Sequence, residues 1–129
     1  MMSDFAKVCY RKYEQHSALA NLLESQTFID DGWSIVIRFY AALQLLNAYL
    51  LEKRNVSLDL SATAHEGRKH AMMKCPELRD APRNYRALKE LSKDVRYNPE
   101  FEFTVKHRDD AKKLFAKIVG IVDPKIKKM

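Results

Sequence analysis

The segment Trp33 to Leu51, WSIVIRFYAALQLLNAYLL, most limits what this chain can fold into. Only Ser34, Arg38, Gln44 and Asn47 in it are strongly polar. At about 100° per residue its apolar side chains point all round a helix axis, not along one stripe. A helix of that kind must be covered on every side, by other helices, a second copy of itself, or lipid. Asp31 offers an N-cap, Gly32 opens the turn before it, and Glu52-Lys53-Arg54-Asn55 closes the segment with charge. The expected element is a central helix over 32–54. Lipid is the poorest cover, because Arg38 near mid-bilayer costs about 2.5–3.5 kcal/mol and Gln44 and Asn47 add to that.

The rest of the chain reads as shorter helices that could wrap this one. Residues 3–24 form helix one, with Ser3 as N-cap, Asp4 at the positive end of the dipole and an apolar stripe from Phe5, Val8, Cys9, Leu19, Leu22 and Leu23. After a loop over 55–62, Thr63-Ala64-His65-Glu66 matches a capping box, so helix three runs over 64–74 until Pro76 stops it. Asp80 and Pro82 announce helix four, with Tyr85, Leu88, Leu91 and Val95 at helical spacing. Arg96 to Phe103 is irregular, with Phe101 and Phe103 expected to fold inward. Thr104 caps helix five, which is expected to bury Val105, Ala111, Leu114, Phe115, Ile118 and Val122 and to stop before Pro124. The expected fold is all-α, a single domain over 1–129 built as a five-helix up-and-down bundle.

Several chemistries are excluded by what is missing. The three glycines, at 32, 67 and 120, are isolated, so no phosphate loop is present. No HExxH, CxxC or paired-histidine spacing points to zinc, and neither a metal nor a cofactor is expected. Cys9 and Cys75 read as separate buried thiols of a reducing compartment. The first residues are charged and lack a signal-peptide core, so the chain is expected in the cytoplasm without a membrane span.

Charge is uneven. Residues 1–60 carry six Lys/Arg and seven Asp/Glu, whereas residues 61–129 carry 17 and 10, together with three of the four histidines. A basic second half favours an anionic partner, nucleic acid first, against the plainer reading of a solvated surface. Two clusters in it bear chemistry. His65 and Arg68 share a face at the start of helix three, and Arg96-Tyr97 ends helix four. Arginine grips phosphate through a planar fork, and tyrosine stacks on a base. Helices three and four are joined by a short connection and should pack antiparallel, bringing the two clusters to one cleft.

The order of these features resembles the HEPN-domain family. The matching residues are the central helix with Phe39-Tyr40-Ala41-Ala42-Leu43, then His65-Glu66-x-Arg68, Tyr85-Arg86-x-Leu88, Leu91-Ser92 and Arg96-Tyr97, over about 30–122. The resemblance implies a helical bundle, commonly a homodimer, among metal-independent RNases of toxin–antitoxin and defence systems and non-catalytic RNA- or nucleotide-binding relatives. Active RNases of the family share Arg, four to six residues, then His. Here only Arg11 to His16 matches, and five helical residues turn those side chains about 140° apart.

Three functions therefore stay open. One is an RNA- or nucleotide-binding domain using Arg68, Lys69, Arg96, Tyr97 and Arg108. Another is an endoribonuclease with His65 as proton shuttle and Arg68, Arg96 and Tyr97 on the phosphate. The third is a dimeric partner of a nucleotidyltransferase-like antitoxin. A homodimer through helix two is expected in each.

Overall fold

The computed structural model describes residues 2–25, 32–53 and 64–129, without the side chains of 64–66. Five α-helices appear, with no strand among the described residues: α1 (Asp4–Glu24), α2 (Trp33–Glu52), α3 (Ala64–Met73), α4 (Ala81–Tyr97) and α5 (Val105–Lys127). A 3₁₀ turn, Pro76–Leu78, links α3 to α4. The N-cap of α2 is Gly32, left-handed at φ 93° and without a side-chain cap, in place of the expected Asp31; Asp31 and Thr63, the expected cap of α3, lie outside the described residues.

Ser3 and Thr104 cap their helices as the sequence suggests, whereas Asp80 occupies the N-cap of α4 without a side-chain cap bond. The Ala6 amide donates to Ser3 Oγ at 3.2 Å. At α5 the His107 amide donates to Thr104 Oγ1, and the Thr104 amide donates back to His107 Nδ1 at 3.1 Å. Histidine thus takes the role that Glu or Gln has in the usual capping box. The expected stop before Pro124 is not observed, since α5 continues through that proline to Lys127. Val122 and Ile126, on either side of it, are buried in the core, and that burial offsets one lost backbone bond in the last turn.

Successive long helices alternate in direction. The Ser3 amide meets Glu52 at 2.7 Å while Arg38 meets Glu24, so α1 and α2 are antiparallel. A Cβ on Gly32 would lie 2.9 Å from Val95, which sets the start of α2 against the end of α4. Tyr10 of α1 donates to Asp123 of α5 at 2.6 Å, and the Tyr13 ring lies 6.2 Å from that of Phe115. One buried cluster joins residues of all five helices.

α2 occupies the middle, packed by α1, α4 and α5. Fourteen of its twenty residues are buried. By length and composition it could cross a bilayer, but 78% of its most apolar window is buried inside the protein. The chain's own helices therefore cover most of the apolar surface of α2. What stays outside is a narrow strip containing Trp33 and Tyr40.

Arg38, Asn47 and Tyr49 of α2 are each met by another element, whereas Ser34 Oγ is buried with no hydrogen-bond partner among the described residues. Arg38 Nη2 donates to Glu24 Oε1 and Asn21 Oδ1, both at 2.7 Å, and its guanidinium lies 5.0 Å from the Phe115 ring centre. Arg68 Nε donates to Asn47 Oδ1 at 2.7 Å, which docks the short helix α3. Tyr49 donates to Glu77, which also pairs with Lys53 at 2.9 Å. The Tyr49 hydroxyl and then Lys53 hold the Glu77 carboxyl down to about 2. Burial is the main cause that raises the Tyr49 phenol, with the Glu77 bond adding to it. Cys9 and Cys75 are free and buried, and burial pushes both thiols up.

Candidate nucleic-acid interface

The four-residue periodicity of α4 sorts its side chains into a buried and an outer face. Tyr85, Leu88 and Ser92 turn inward, with Asn84 beside them. Arg86, Lys89, Lys93, Arg96 and Tyr97 fall within about 100° of arc on the outside. The track from Arg86 to Tyr97 is about 16 Å long at 1.5 Å per residue. Lys93 lies 3.9 Å from Glu90, an exposed pair that holds it only weakly.

The track ends on an aromatic cluster. Arg96 Nη1 donates to the Tyr40 hydroxyl at 2.9 Å, and Arg96 Nε reaches back to the Ser92 carbonyl at 3.3 Å. The guanidinium carbon lies 4.9 Å from the Tyr97 ring centre, 5.6 Å from Tyr40 and 5.9 Å from Phe39. Tyr97 is 70% exposed, and Tyr40, on the second turn of α2, is also partly open to solvent. Two bonds and three rings fix the cation, yet aromatic surface stays open to solvent. That combination suits stacking against a flat, electron-poor or anionic ligand.

At the other end of the track a groove of about 400 Å³ opens between α3 and α4. Met72, Met73, Pro82 and Tyr85 form its apolar part, and Lys69, Arg86, Lys89 and Glu90 its charged rim. Burial pushes the Tyr85 phenol up, opposed by the nearby Arg68 guanidinium. Among the described residues the Tyr85 hydroxyl has no hydrogen-bond partner at good geometry.

The expected residues divide between these places. Arg96 and Tyr97 meet as expected, and Lys69 lines the groove. Arg68 differs: it is 3% exposed and bound to Asn47, because a buried amide on α2 demands a donor. It sits beside Tyr85 while Arg96 sits on Tyr40, so the two arginines serve different partners. Arg108 lies in the first turn of α5, beyond the 98–104 connection. The His65 side chain lies outside the described residues.

Four contributors were not singled out from sequence. The spacing of Arg86, Lys89, Lys93 and Arg96, three, four, then three residues, was a readable signal of one basic face. Tyr40 gave none, since its role depends on a residue 56 positions away. Among the described residues no group of three His, Cys, Asp or Glu side chains could hold a metal ion. No family model, curated protein or solved structure matches the chain.

Proposed function

We propose that this protein is a single-stranded RNA-binding module. The outer face of α4 supplies the phosphate track, and the Arg96–Tyr40–Tyr97 cluster supplies the platform for a base. The observation that carries this reading is the cluster itself: a guanidinium held among exposed rings at the end of a row of cations. An unstacked base finds a π-face on Tyr97, and the phosphates on either side find Arg96, Lys93 and Lys89. Lys69 and Arg86 extend the positive field over the groove.

Binding is favoured over cleavage. Cleavage by His65 with Arg68 and Arg96 needs Arg68 on the phosphate, and Arg68 would first have to leave a buried bond to Asn47. The resemblance to HEPN proteins supports RNA as the ligand class and a cytoplasmic toxin–antitoxin or defence role as the setting.

Titration of a labelled uridine-rich 12-mer with the protein in EDTA should raise the fluorescence anisotropy of the RNA without cutting it. Tyr97→Ala should weaken binding about 5- to 150-fold, the loss of one stacked base at about 1–3 kcal/mol. Three cations on the phosphates predict a slope of log affinity against log salt of about −2. A salt-independent interaction, or one unchanged in Tyr97→Ala and Arg96→Ala, would sink the proposal. Cleavage in EDTA would replace it with the enzymatic reading.

A further inference from the structure

α1 has a second apolar face. Its inner face, with Ala6, Cys9 and Ala20 buried, packs on α2, and the small side chains there let the two helices approach closely. On the outside Phe5 is 68% exposed and Leu22 57%, and Val8 and Leu19 are exposed between them. Lys12 and Gln15, also exposed, complete the row. Positions 5, 8, 12, 15, 19 and 22 are spaced three, four, three, four and three residues apart. That is a heptad seam, and it reads the same from either end.

We infer that this outer seam of α1 docks an antiparallel α1 from a second copy of the chain. A reversed copy centred between residues 13 and 14 sets Phe5 against the partner's Leu22 and Val8 against the partner's Leu19. It also sets Lys12 against the partner's Gln15, where an ammonium donates to an amide oxygen. A parallel copy in register would instead oppose Lys12 to the partner's Lys12, like charge to like charge. The polar pair at the centre therefore selects the antiparallel direction and fixes the register, as single polar seam positions do in coiled coils. The same row on both copies satisfies the rule for a two-fold interface.

Charge argues against a membrane as the cover. Asp4 borders the seam on the same edge as Arg11, so the flank has no uniform positive belt for anionic lipid. A single helix pair about 25 Å long falls below the standard interface size, so association should be reversible in the micromolar range. The seam lies on the outside of α1, whereas the proposed RNA track lies on α4. The two proposals can therefore fail separately.

Sedimentation velocity of the full chain from 2 to 200 µM tests the idea. The expected result is a shift from the 15.1 kDa species toward twice that mass. Leu19→Glu/Leu22→Glu, both on exposed positions, should keep the far-UV circular dichroism and RNA affinity while staying monomeric throughout. Direction is read by oxidation: a mixture of Val8→Cys and Leu19→Cys chains should cross-link, and Val8→Cys alone should not. Two residues 8 would lie about 16 Å apart along an antiparallel pair, beyond the reach of a disulfide of about 7 Å between Cα atoms. A wild-type monomer at 200 µM overturns the inference. So does a dimer that survives Leu19→Glu/Leu22→Glu, or efficient self-linking of Val8→Cys.

Discussion

Replacing Arg38 by methionine should be among the most damaging single changes in the protein. Arg38 and Glu24 are nearly dry, their side chains only 7% and 8% exposed. Met fills much of the same space, so little cavity is made, and the effect is electrostatic. It leaves the Glu24 carboxylate buried with Lys112 at 3.7 Å as its remaining ion-pair partner. Breaking a buried pair from one side costs about 3–5 kcal/mol, and Lys112 should hold this case near 3. With an unfolding entropy of about 2.1 cal/mol/K per residue, a chain of 129 residues loses about 11 °C of Tm for 3 kcal/mol. Removing both charges together is different. Arg38→Met with Glu24→Leu leaves no orphaned ion and should return to within about 1 kcal/mol of wild type. Urea unfolding followed by circular dichroism gives both values, provided the slope with denaturant is unchanged. A loss below about 1 kcal/mol in the single variant, or a double variant as unstable as the sum of its singles, would refute the claim that this pair is buried and coupled.

Acid should weaken the latch between α2 and the 76–80 turn. The folded Glu77 carboxyl is held at about 2, below its ordinary 4.5. Its contribution is therefore complete above about pH 4.5 and disappears as pH falls toward 2. The full shift would be worth about 3.4 kcal/mol, but with a side chain 32% exposed about 1–2 kcal/mol is expected after screening. Glu77→Gln should remove that part of the pH dependence, as urea midpoints at pH 7, 4 and 2.5 will show; an unchanged profile would count against the latch. Gly32→Ala should cost about 1–3 kcal/mol in the same assay, because Gly32 has φ of 93° and its new Cβ would lie 2.9 Å from Val95. Adding Val95→Ala should relieve only the steric part, so complete rescue would refute the backbone argument.

Features governed by neighbours in sequence were legible, and those governed by distant partners were not. Ser3 and Thr104 could be read as caps because an N-cap needs only its own helix's first amides. Pro76 marked the end of α3 for a similarly local reason. Pro124 misled because the local penalty is real but small beside the burial of Val122 and Ile126. His107 was invisible as a capping partner, since its ring nitrogen replaces the expected Glu or Gln. The basic row on α4 could have been seen whole, whereas only its last member, Arg96, was singled out.

The polar residues of α2 show where that boundary lies. An Arg, an Asn and two Tyr hydroxyls in this mostly apolar helix each impose a demand that is met, because a buried polar group without a partner is costly; Ser34 Oγ is the exception, buried without a partner among the described residues. The sequence displays the demand and hides the supplier. Arg38 is met by α1, Asn47 by Arg68 of α3, Tyr49 by Glu77 ahead of α4, and Tyr40 by Arg96 at the end of α4. Each pairing fixes one element against the central helix, so the same few side chains that keep α2 from being uniformly greasy specify how its neighbours dock. Arg68 and Arg96 are the instructive pair. Both are arginines answering a polar group of α2, but Asn47 lies deep and consumes its arginine in the packing. Tyr40 lies at the edge and leaves its arginine among open rings. Depth along one helix, more than residue type, decides which cation belongs to the fold and which is available to a ligand.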